Sequence, residues 1–546
     1  MMTFLRGEHD PHREAHSRAT PSSGLVVLLG VSTLILAGGV LRWIDLTTDA
    51  VWGDEILVSI FAQLPVTSLL FDNPDVHPPL YVLLHKYLVA PADGAAALRT
   101  LSLVFGTLSI PAAFAFGWAI KDARCGLWAA ALMAVWSLHI DYSQEGRSYA
   151  VLLLLVTLAS AALAHCLALT PSERGRWYAV VAVLGALVFA THFIGIFWLG
   201  LAIFVVAIDY ALSAERTVLR RPVRNALALG ILLATPTALH LRLALEQRTF
   251  NWLLVPDLAE FSRVVQALLG ITGFVPSLGA AVSIATALVA CIGLGLLISR
   301  GRFAQALFIG GLIALPCVLF VVSQVKPVLM ERTALIALPG LIVALAVALA
   351  AMPRYAATGL GVGLIAVQLS SVSLVERAGA DPRGLDQGAA AFAATLSERD
   401  VVVFAHPTAF LSFKYRLGRD LGQNSLIVSP ADGGLLSTRE DDRNADWQTR
   451  MAGHLFLPLL GNPLRQERFA VHPTPFDHAK RSGGHVWLIS DGPGWQPLGT
   501  MELGAALSRD MQPKIRAGQF LISRTNMPLD GNSTVEALPY KHQPDT

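Results

Sequence analysis

The side chains best suited to proton transfer lie in two short polar stretches that follow the first long apolar run. The first stretch ends in the adjacent carboxylates Asp54 and Glu55, and the second runs from Asp75 through His77 to Tyr81. Neighbouring residues on a helix point about 100° apart, so only one of the two carboxylates can face a reacting atom squarely. That carboxylate can act as a general base towards an attacking hydroxyl, while the other orients it or shifts its pKa.

Cationic and polar side chains stand at the ends of later apolar runs. Arg147 opens one run two residues after Glu145, which follows Gln144, and Lys326 and Arg332 precede another. An arginine can bind a phosphate through two parallel hydrogen bonds, which predicts an anionic substrate. The predicted phosphate ligands are His77, Arg147, Lys326 and Arg332. The residues predicted to shape the site or contact an acceptor are Asp75, Tyr81, Gln144, Glu145 and His192.

Each of these residues also has a structural interpretation. The alternatives are ion pairs of Asp54 or Glu55 with Arg42 or Arg99, an ion pair of Arg147 with Glu145 or Asp141, a structural role for His77, and lipid-flanking positions for Lys326, Glu331 and Arg332. A divalent metal ion bound by Asp54, Asp75 and His77 is a further alternative, although no H-x-x-x-H spacing marks a zinc site. No other cofactor is predicted, because the chain has no P-loop, no dinucleotide fingerprint and no G-x-S-x-G motif.

The composition is that of a membrane protein. The chain has 546 residues, of which 54% are hydrophobic and only 15% charged, and its mean hydropathy is +0.54. With a net charge of +2, the chain shows no large basic surface that would favour nucleic-acid binding, and no nucleic-acid partner is predicted. The four cysteines lie in or beside apolar runs, so neither a disulfide framework nor a thiolate metal site is predicted.

A helix needs about 20 apolar residues to cross a bilayer. Eleven spans are predicted, at residues 24–44, 97–120, 125–141, 147–170, 176–190, 192–213, 223–243, 278–300, 303–323, 333–352 and 353–374. The run from Trp177 to Tyr210 is too long for one helix, and we divide it at Thr191-His192. With this division, arginine and lysine cluster on alternate loops, which places the N-terminus inside and the C-terminal region outside. We expect the first span to be retained, because no cleavage site follows it.

The predicted domains follow from this topology: a cytoplasmic tail at 1–23, a membrane domain at 24–375, a soluble α/β domain at 376–525 and a flexible tail at 526–546. The first outer loop, 45–96, has apolar residues at four-residue steps, which predicts amphipathic helices. After residue 375, a helix is predicted at 385–396 and a short buried strand at 401–404. Further units at 409–417, 425–428, 486–489, 501–508 and 520–523 continue an alternation of helix and strand. The fold class is therefore a polytopic α-helical membrane protein with a C-terminal soluble α/β domain.

The order of these motifs resembles glycosyltransferase family 39 and its bacterial relatives, which have the GT-C fold and include lipid A aminoarabinose transferases and protein O-mannosyltransferases. The resemblance covers most of residues 40–375 and rests on residues 41–55, 75–81, 142–149, 191–193 and 326–332. It implies a polyprenyl-phosphate sugar as donor and a lipid, glycan or protein hydroxyl as acceptor. It also implies a bacterial cytoplasmic membrane location, with a periplasmic C-terminal domain.

The resemblance further implies that the first-loop carboxylate, Asp54, is the catalytic base of a single, inverting displacement, with Glu55 as its neighbour. Two positions depart from the family pattern. His77 stands where aminoarabinose transferases have a lysine before the paired prolines, and Thr333 follows Arg332 where the relatives have a tyrosine. The competing functions are a transporter or flippase of a lipid-linked glycan and a glycan receptor without catalysis. A transporter favours mid-span charges and inverted repeats, and neither is evident in the sequence.

Overall fold

The chain is represented by a computed structural model, which describes residues 21–47, 51, 53–71, 77–89, 94–246, 255–271, 274–374, 382–404, 407–417, 425–428, 435–437, 483–491, 511–517 and 520–525. Asp75, the first 20 residues and the predicted tail at 526–546 lie outside this description.

Each of the eleven predicted spans coincides with helix in the described chain. Nine helices are long and apolar enough to cross a membrane, a bent helix pair forms a tenth candidate, and Gly175–Thr191 is a shorter apolar helix. The spanning elements are α1 (Pro21–Trp43), α5 (Ala95–Ile120), α6 (Ala123–Val135) with α7 (Ser137–Ser143), α8 (Tyr149–Ala168), α9 (Gly175–Thr191), α10 (Gly195–Leu212), α11 (Arg216–Glu246), α13 (Pro276–Ser299), α14 (Phe303–Ser323), α15 and α16 (Glu331–Ala334, Leu338–Ala351) and α17 (Arg354–Leu374). The division of the long run is confirmed, because the helix ends at Thr191 and a new one begins at Gly195.

Helix α16 forms the centre of the bundle. Its residues are apolar on every side and almost all are buried, as expected for a helix without a lipid-facing stripe. It packs against α5, α6, α8, α13 and α14. By contrast, α1 leaves Leu25, Val26 and Leu28 exposed, as expected at the lipid-facing edge.

The third predicted span is not one straight helix. It breaks at Trp136, whose backbone is extended, and α6 and α7 meet at 61°. The break interrupts the backbone hydrogen bonds of the helix, so N–H and C=O groups near Trp136 need other hydrogen-bond partners inside the bundle. Gln368 accepts the Ser137 N–H at 3.1 Å and donates to the Leu269 carbonyl at 2.8 Å, and the Trp136 indole donates to the Leu268 carbonyl at 3.0 Å.

The bend carries α7 to the outer end of α1. Arg42 is fully buried and donates to the carbonyls of Met133 and Ala134 at 2.9 Å and to the Ser143 hydroxyl at 3.2 Å. The outer turn predicted at 139–147 therefore begins later than expected, because residues 137–143 are helical and the turn occupies 144–148. Arg42 holds this corner of the bundle and does not pair with a first-loop carboxylate in the hydrogen bonds described.

The first outer loop contains three short helices: α2 (Gly53–Gln63), α3 (Val66–Phe71) and α4 (Leu80–Leu88). This confirms the predicted helical character of the loop. Pro79 stands at the N-cap of α4, where the missing N–H costs no helical hydrogen bond. The Lys86 ammonium donates to the carbonyls of Ala62 and Leu64 at 2.9 and 3.1 Å, which ties α4 to the end of α2.

The region between α11 and α13 contains the short helix α12 (Leu258–Leu269), and the region after α17 forms a mixed sheet with two helices. The helices are α18 (Pro382–Thr395) and α19 (Pro407–Leu417), and the strands are β1 (Val401–Phe404), β2 (Ser425–Val428), β3 (Leu435–Ser437), β4 (Val486–Asp491), β5 (Met511–Ala517) and β6 (Phe520–Thr525). The strand order is β3-β2-β1-β4-β6-β5. Strand β1 is parallel to β2 and β4, and the other pairs are antiparallel.

This α/β unit packs directly on the outer-loop helix α2. Phe410 and Phe413 of α19 share one apolar cluster with Ile56 and Phe61 of α2. The Arg416 guanidinium adds a hydrogen bond to the Val51 carbonyl at 3.3 Å. The C-terminal unit therefore supports the segment that carries Asp54.

The orientation in the membrane gives a first prediction. Basic loops converge at one end of the bundle, where the Arg124 guanidinium donates to the Met352 carbonyl at 3.0 Å and Arg302 donates to the Ile120 carbonyl. Because basic loops stay inside, we expect a reporter fused after Arg224 to be cytoplasmic and one fused after Gly384 to be external. Alkaline phosphatase and green fluorescent protein fusions measure this, and two reporters on the same side would contradict the eleven-span topology.

Candidate active site

Glu55 is the anchor of the outer loop. Its two carboxylate oxygens each accept a hydrogen bond from Arg99 at 2.8 Å, and its Oε1 also accepts the Gly146 N–H at 2.7 Å. Arg99 adds a hydrogen bond to the Leu46 carbonyl at 2.8 Å. The Glu55 side chain has no solvent exposure, so the first outer loop, the start of α5 and the second outer turn are held together at this one carboxylate.

Asp54 faces the other way. Its side chain is 28% exposed, and its Oδ2 lies 3.6 Å from Arg332 Nη1. The Arg147 guanidinium donates to the Asp54 backbone carbonyl at 3.3 Å. The adjacent carboxylates therefore have different environments, as their helical spacing predicts: Glu55 is enclosed, and Asp54 is open to a substrate beside two arginines.

Arg147 is positioned through its backbone. The residue is 3% exposed, and its carbonyl accepts a hydrogen bond from the Ser102 hydroxyl at 3.1 Å. Tyr81, which is buried, bonds to the same hydroxyl at 3.1 Å. Tyr81 is therefore linked to Arg147 through the Ser102 hydroxyl and helps to hold the second outer turn in place.

Arg332 is presented by a tight turn at the start of α15. The Thr333 hydroxyl accepts the Met330 N–H at 2.9 Å and donates to the Val328 carbonyl at 2.8 Å, which closes the turn. Thr333 thus has a local structural role. The Arg332 guanidinium lies 5.9 Å from the centroid of the Tyr149 ring, a cation–π contact.

His77 and His192 form an aromatic wall beside the arginines. Their ring centroids are 4.3 Å apart, and the Tyr149 ring lies 5.6 Å from His192 and 6.5 Å from His77. Burial, the neighbouring His192, and then Arg147 and Arg332 hold the pKa of His77 well below its ordinary value. Burial and the same arginines lower the pKa of His192 to about 3. Both imidazoles are therefore neutral near pH 7, where they offer hydrogen bonds and apolar faces without positive charge.

Gln144 and Glu145 lie in the turn between α7 and α8. The Gln144 amide donates to the carbonyls of Arg42 and Ile44 at 3.0 and 2.5 Å, which fastens the turn to the end of α1. Burial, and next the nearby Glu55, raise the pKa of Glu145 to about 8, against the opposing effect of Arg332. Glu145 is therefore mostly a neutral acid at pH 7.

The remaining predicted ligands are Lys326 and the residues of the possible metal site. Lys326 lies half-buried in the turn after α14, where its backbone N–H donates to the Val322 carbonyl at 2.9 Å. Among the described residues, no group of three or more His, Cys, Asp or Glu side chains is arranged to hold a metal ion. Asp75 lies outside those residues, so the metal site predicted from Asp54, Asp75 and His77 stays a prediction.

Sequence reasoning did not assign a role to Tyr149, which the structure places beneath Arg332 and against both histidines. Its position at the first residue of a span, two residues after Arg147, was a usable signal, because aromatic side chains are common at membrane interfaces. Arg99 was considered only as an alternative partner of Asp54 or Glu55, and its pairing with Glu55 is confirmed.

Comparison with known proteins gives similarity in structure only. No protein-family model and no curated protein sequence match the chain. The crystal structure of ArnT from Cupriavidus metallidurans in the apo state matches with a TM-score of 0.57 at 12% sequence identity, over 92% of this chain and 98% of that chain. The crystal structure of ArnT from Cupriavidus metallidurans bound to undecaprenyl phosphate matches with a TM-score of 0.53 at 14% identity, over 94% of this chain and 100% of that chain.

These matches cover the helical bundle and most of the remaining chain, so they concern the whole architecture. At 12% and 14% identity, the likeness establishes the fold and leaves the reaction to be argued from the site. The chain is therefore a multi-pass membrane protein with the GT-C-like fold of the ArnT structures.

Proposed function

We propose that the protein transfers a hexosyl or pentosyl group from a polyprenyl-phosphate donor to an acceptor hydroxyl at the outer face of a bacterial cytoplasmic membrane. The observation that carries the proposal is the position of Asp54, an open carboxylate beside Arg332 and Arg147 at the outer ends of apolar helices. The fold adds support, because an ArnT structure with the same architecture is bound to undecaprenyl phosphate.

The proposed reaction needs one general base, Asp54, and one leaving group, the polyprenyl phosphate. The acceptor oxygen attacks the anomeric carbon, and Asp54 takes the proton of that hydroxyl. The bond between the anomeric carbon and the phosphate oxygen breaks, and its electron pair leaves with the polyprenyl phosphate. A single displacement inverts the anomeric centre. A general base in this position contributes about 10²- to 10⁴-fold to the rate.

Arg332 and Arg147 have the charge and position to bind the donor phosphate. Fixed cations in a largely buried site stabilise negative charge on a leaving group without reorganising at the moment of reaction. The neutral imidazoles of His77 and His192 can donate further hydrogen bonds, in place of the lysine found in aminoarabinose transferases. A divalent ion at Asp54 and His77 is not required by this scheme.

Glu55 is a positioning residue in this proposal. Its carboxylate is occupied by Arg99 and by the Gly146 N–H, so it has no free face for a substrate. Its role is to hold Asp54 on one side and Arg147 on the other at a fixed separation. The C-terminal unit packs on the same helix, and we expect it to contribute to acceptor binding on the periplasmic side.

The test of this function compares cells that express the wild-type protein with cells that express Asp54→Asn at the same level. Mass spectrometry of lipid, polysaccharide and protein fractions of the envelope would reveal the acceptor. We expect one class of molecule to carry an additional hexose or pentose only with the wild-type protein. If Asp54→Asn cells have the same envelope glycans as the wild type, the proposed transfer by Asp54 is wrong.

Replacing Arg332 by alanine gives a second prediction. Hydrogen bonds to charged groups contribute about 1.5–3 kcal/mol, so we expect polyprenyl phosphate to bind at least about tenfold more weakly. Binding to purified protein in nanodiscs, measured by a competition assay with a fluorescent lipid phosphate, checks this. The matched control is Arg216→Ala, because Arg216 is exposed, donates to the Ser213 carbonyl at 3.1 Å and lies in a loop predicted to be cytoplasmic. Equal weakening in both variants would remove Arg332 from the phosphate site.

A further inference from the structure

Glu145 is held with little freedom in the turn between α7 and α8. The residue before it is fastened to the carbonyls of Arg42 and Ile44, and the N–H of Gly146 after it is bonded to Glu55. The Glu145 carbonyl accepts the N–H of Arg147 at 2.8 Å. The backbone on both sides of Glu145 is therefore held by hydrogen bonds, and this fixes the position from which its side chain extends.

The carboxyl group of Glu145 lies among the charges of the proposed active site. Its Oε1 is buried and has no hydrogen-bond partner among the described residues. Asp54, Glu55, Arg147 and Arg332 all lie close enough to affect its ionisation. A buried carboxyl oxygen without a partner is costly unless a ligand supplies one.

Burial, and next the neighbouring Glu55, favour the neutral acid against the opposing effects of Arg332 and Arg147. Arg99 is already paired with Glu55, and Arg332 lies beside Asp54. An ionised Glu145 would be the third carboxylate in the cluster, and a bound phosphate would bring a fourth negative group. A protonated carboxyl removes one of these charges and adds an O–H donor.

We propose that Glu145 binds the phosphate of the lipid-linked donor as the neutral acid and donates its O–H to a non-bridging phosphate oxygen. This inference rests on the proposed function, because the phosphate is that of the polyprenyl-phosphate donor. It assigns Glu145 to donor binding, in addition to the arginines, and leaves proton transfer from the acceptor to Asp54.

The proposal makes donor binding depend on pH in one direction. Below its pKa of about 8, Glu145 is neutral and donates; above it, the carboxylate repels the phosphate. The groups that face Glu145 are Asp54, Glu55, Arg147, Arg332 and the phenols of Tyr81, Tyr142 and Tyr149. The two histidines have lowered pKa values and stay neutral throughout, and phenols ordinarily ionise near pH 10. Glu145 is thus the group expected to titrate near pH 8.

The experiment measures binding of a polyprenyl methyl phosphodiester, whose single negative charge is constant, to the full-length protein in nanodiscs. Titrations run from about pH 6.5 to about pH 9.5, on either side of the Glu145 pKa. We expect the wild-type protein to bind about tenfold more weakly at the high end. Glu145→Gln keeps a donor but cannot ionise, so its affinity should be the same at both ends. Glu145→Ala should bind weakly at both.

Several results would overturn the inference, and they can be told apart from failure of the proposed function. Wild-type binding that does not change with pH, or a pH dependence that persists in Glu145→Gln, contradicts the role of Glu145 alone. Failure of the wild-type protein to bind the phosphodiester at any pH contradicts both proposals. Burial also raises the pKa of Glu331, the carboxylate next to Arg332. The control Glu331→Gln removes this group and should keep the wild-type profile. The wild-type profile itself needs no variant, so poor folding of one substitution does not decide the outcome.

Discussion

Asp54→Asn should lower the rate of sugar transfer by about 10²- to 10⁴-fold while leaving the fold and donor binding largely intact. Asparagine keeps the size of the side chain and a carbonyl oxygen, but it cannot accept a proton from the acceptor hydroxyl. The 28% exposure of Asp54 means that the substitution strands no fully buried charge, although Arg332 loses one neighbour. Turnover is measured as release of polyprenyl phosphate from labelled donor lipid in the presence of the acceptor.

The matched control is Asp257→Asn. Asp257 is exposed at the N-cap of α12 and accepts the Glu260 N–H at 2.7 Å, a role that asparagine can also fill. We expect this variant to transfer sugar at the wild-type rate. Normal turnover in Asp54→Asn, with wild-type thermal stability, would mean that another group accepts the proton.

Glu55→Gln should destabilise the protein by about 3–5 kcal/mol, because it leaves the buried Arg99 guanidinium without its counter-charge. The ion pair is almost fully enclosed, with side-chain exposures of 4% for Arg99 and none for Glu55. Activity should fall with it, since the same carboxylate fastens Gly146 and the turn that carries Arg147. Unfolding in mixed detergent micelles, followed by intrinsic fluorescence, measures the loss of stability.

A double replacement separates this structural effect from catalysis. Replacing both partners of a buried pair by apolar residues is often close to neutral for stability, whereas removing one is not. We therefore expect Glu55→Leu combined with Arg99→Leu to be more stable than Glu55→Gln. The double variant should remain less stable than the wild type, because the Gly146 N–H and the Leu46 carbonyl lose their hydrogen-bond partners. If Glu55→Gln unfolds like the wild type yet transfers no sugar, Glu55 takes part in the reaction directly.

The membrane architecture could be predicted from the sequence because its causes are local. Apolar runs of about 20 residues can satisfy their backbone hydrogen bonds within one helix, so their number and limits follow from composition. The distribution of arginines also selected the division at Thr191-His192, and the helices end and restart there. The breaks inside spans were harder to predict: the bend at Trp136 depends on Gln368, a residue 231 positions beyond Ser137 in the chain.

The C-terminal region was predicted with similar success where its elements are described. The helix predicted at 385–396 and the strand predicted at 401–404 are confirmed as α18 and β1. The alternating units at 409–417, 425–428, 486–489 and 520–523 coincide with α19, β2, β4 and β6, although the sequence did not say which was helix and which was strand. The unit predicted at 501–508 lies outside the described residues. The strand order was not predicted, because pairing joins segments that are distant in sequence. The contact of this unit with α2 was also not predicted, because the sequence of an amphipathic helix shows which face is apolar but not which element packs against that face.

The residue types and their spacing by themselves determined that a carboxylate pair, several arginines and two histidines lie at helix ends in an apolar chain. Only the tertiary structure decided which carboxylate is open and which is paired. Glu55 meets Arg99, 44 positions later, while Asp54 turns towards Arg332 on a helix from the other half of the membrane domain. Ionisation was decided in the same way, because the pKa values of Glu145 and His192 depend on burial and on charges contributed by several separate segments.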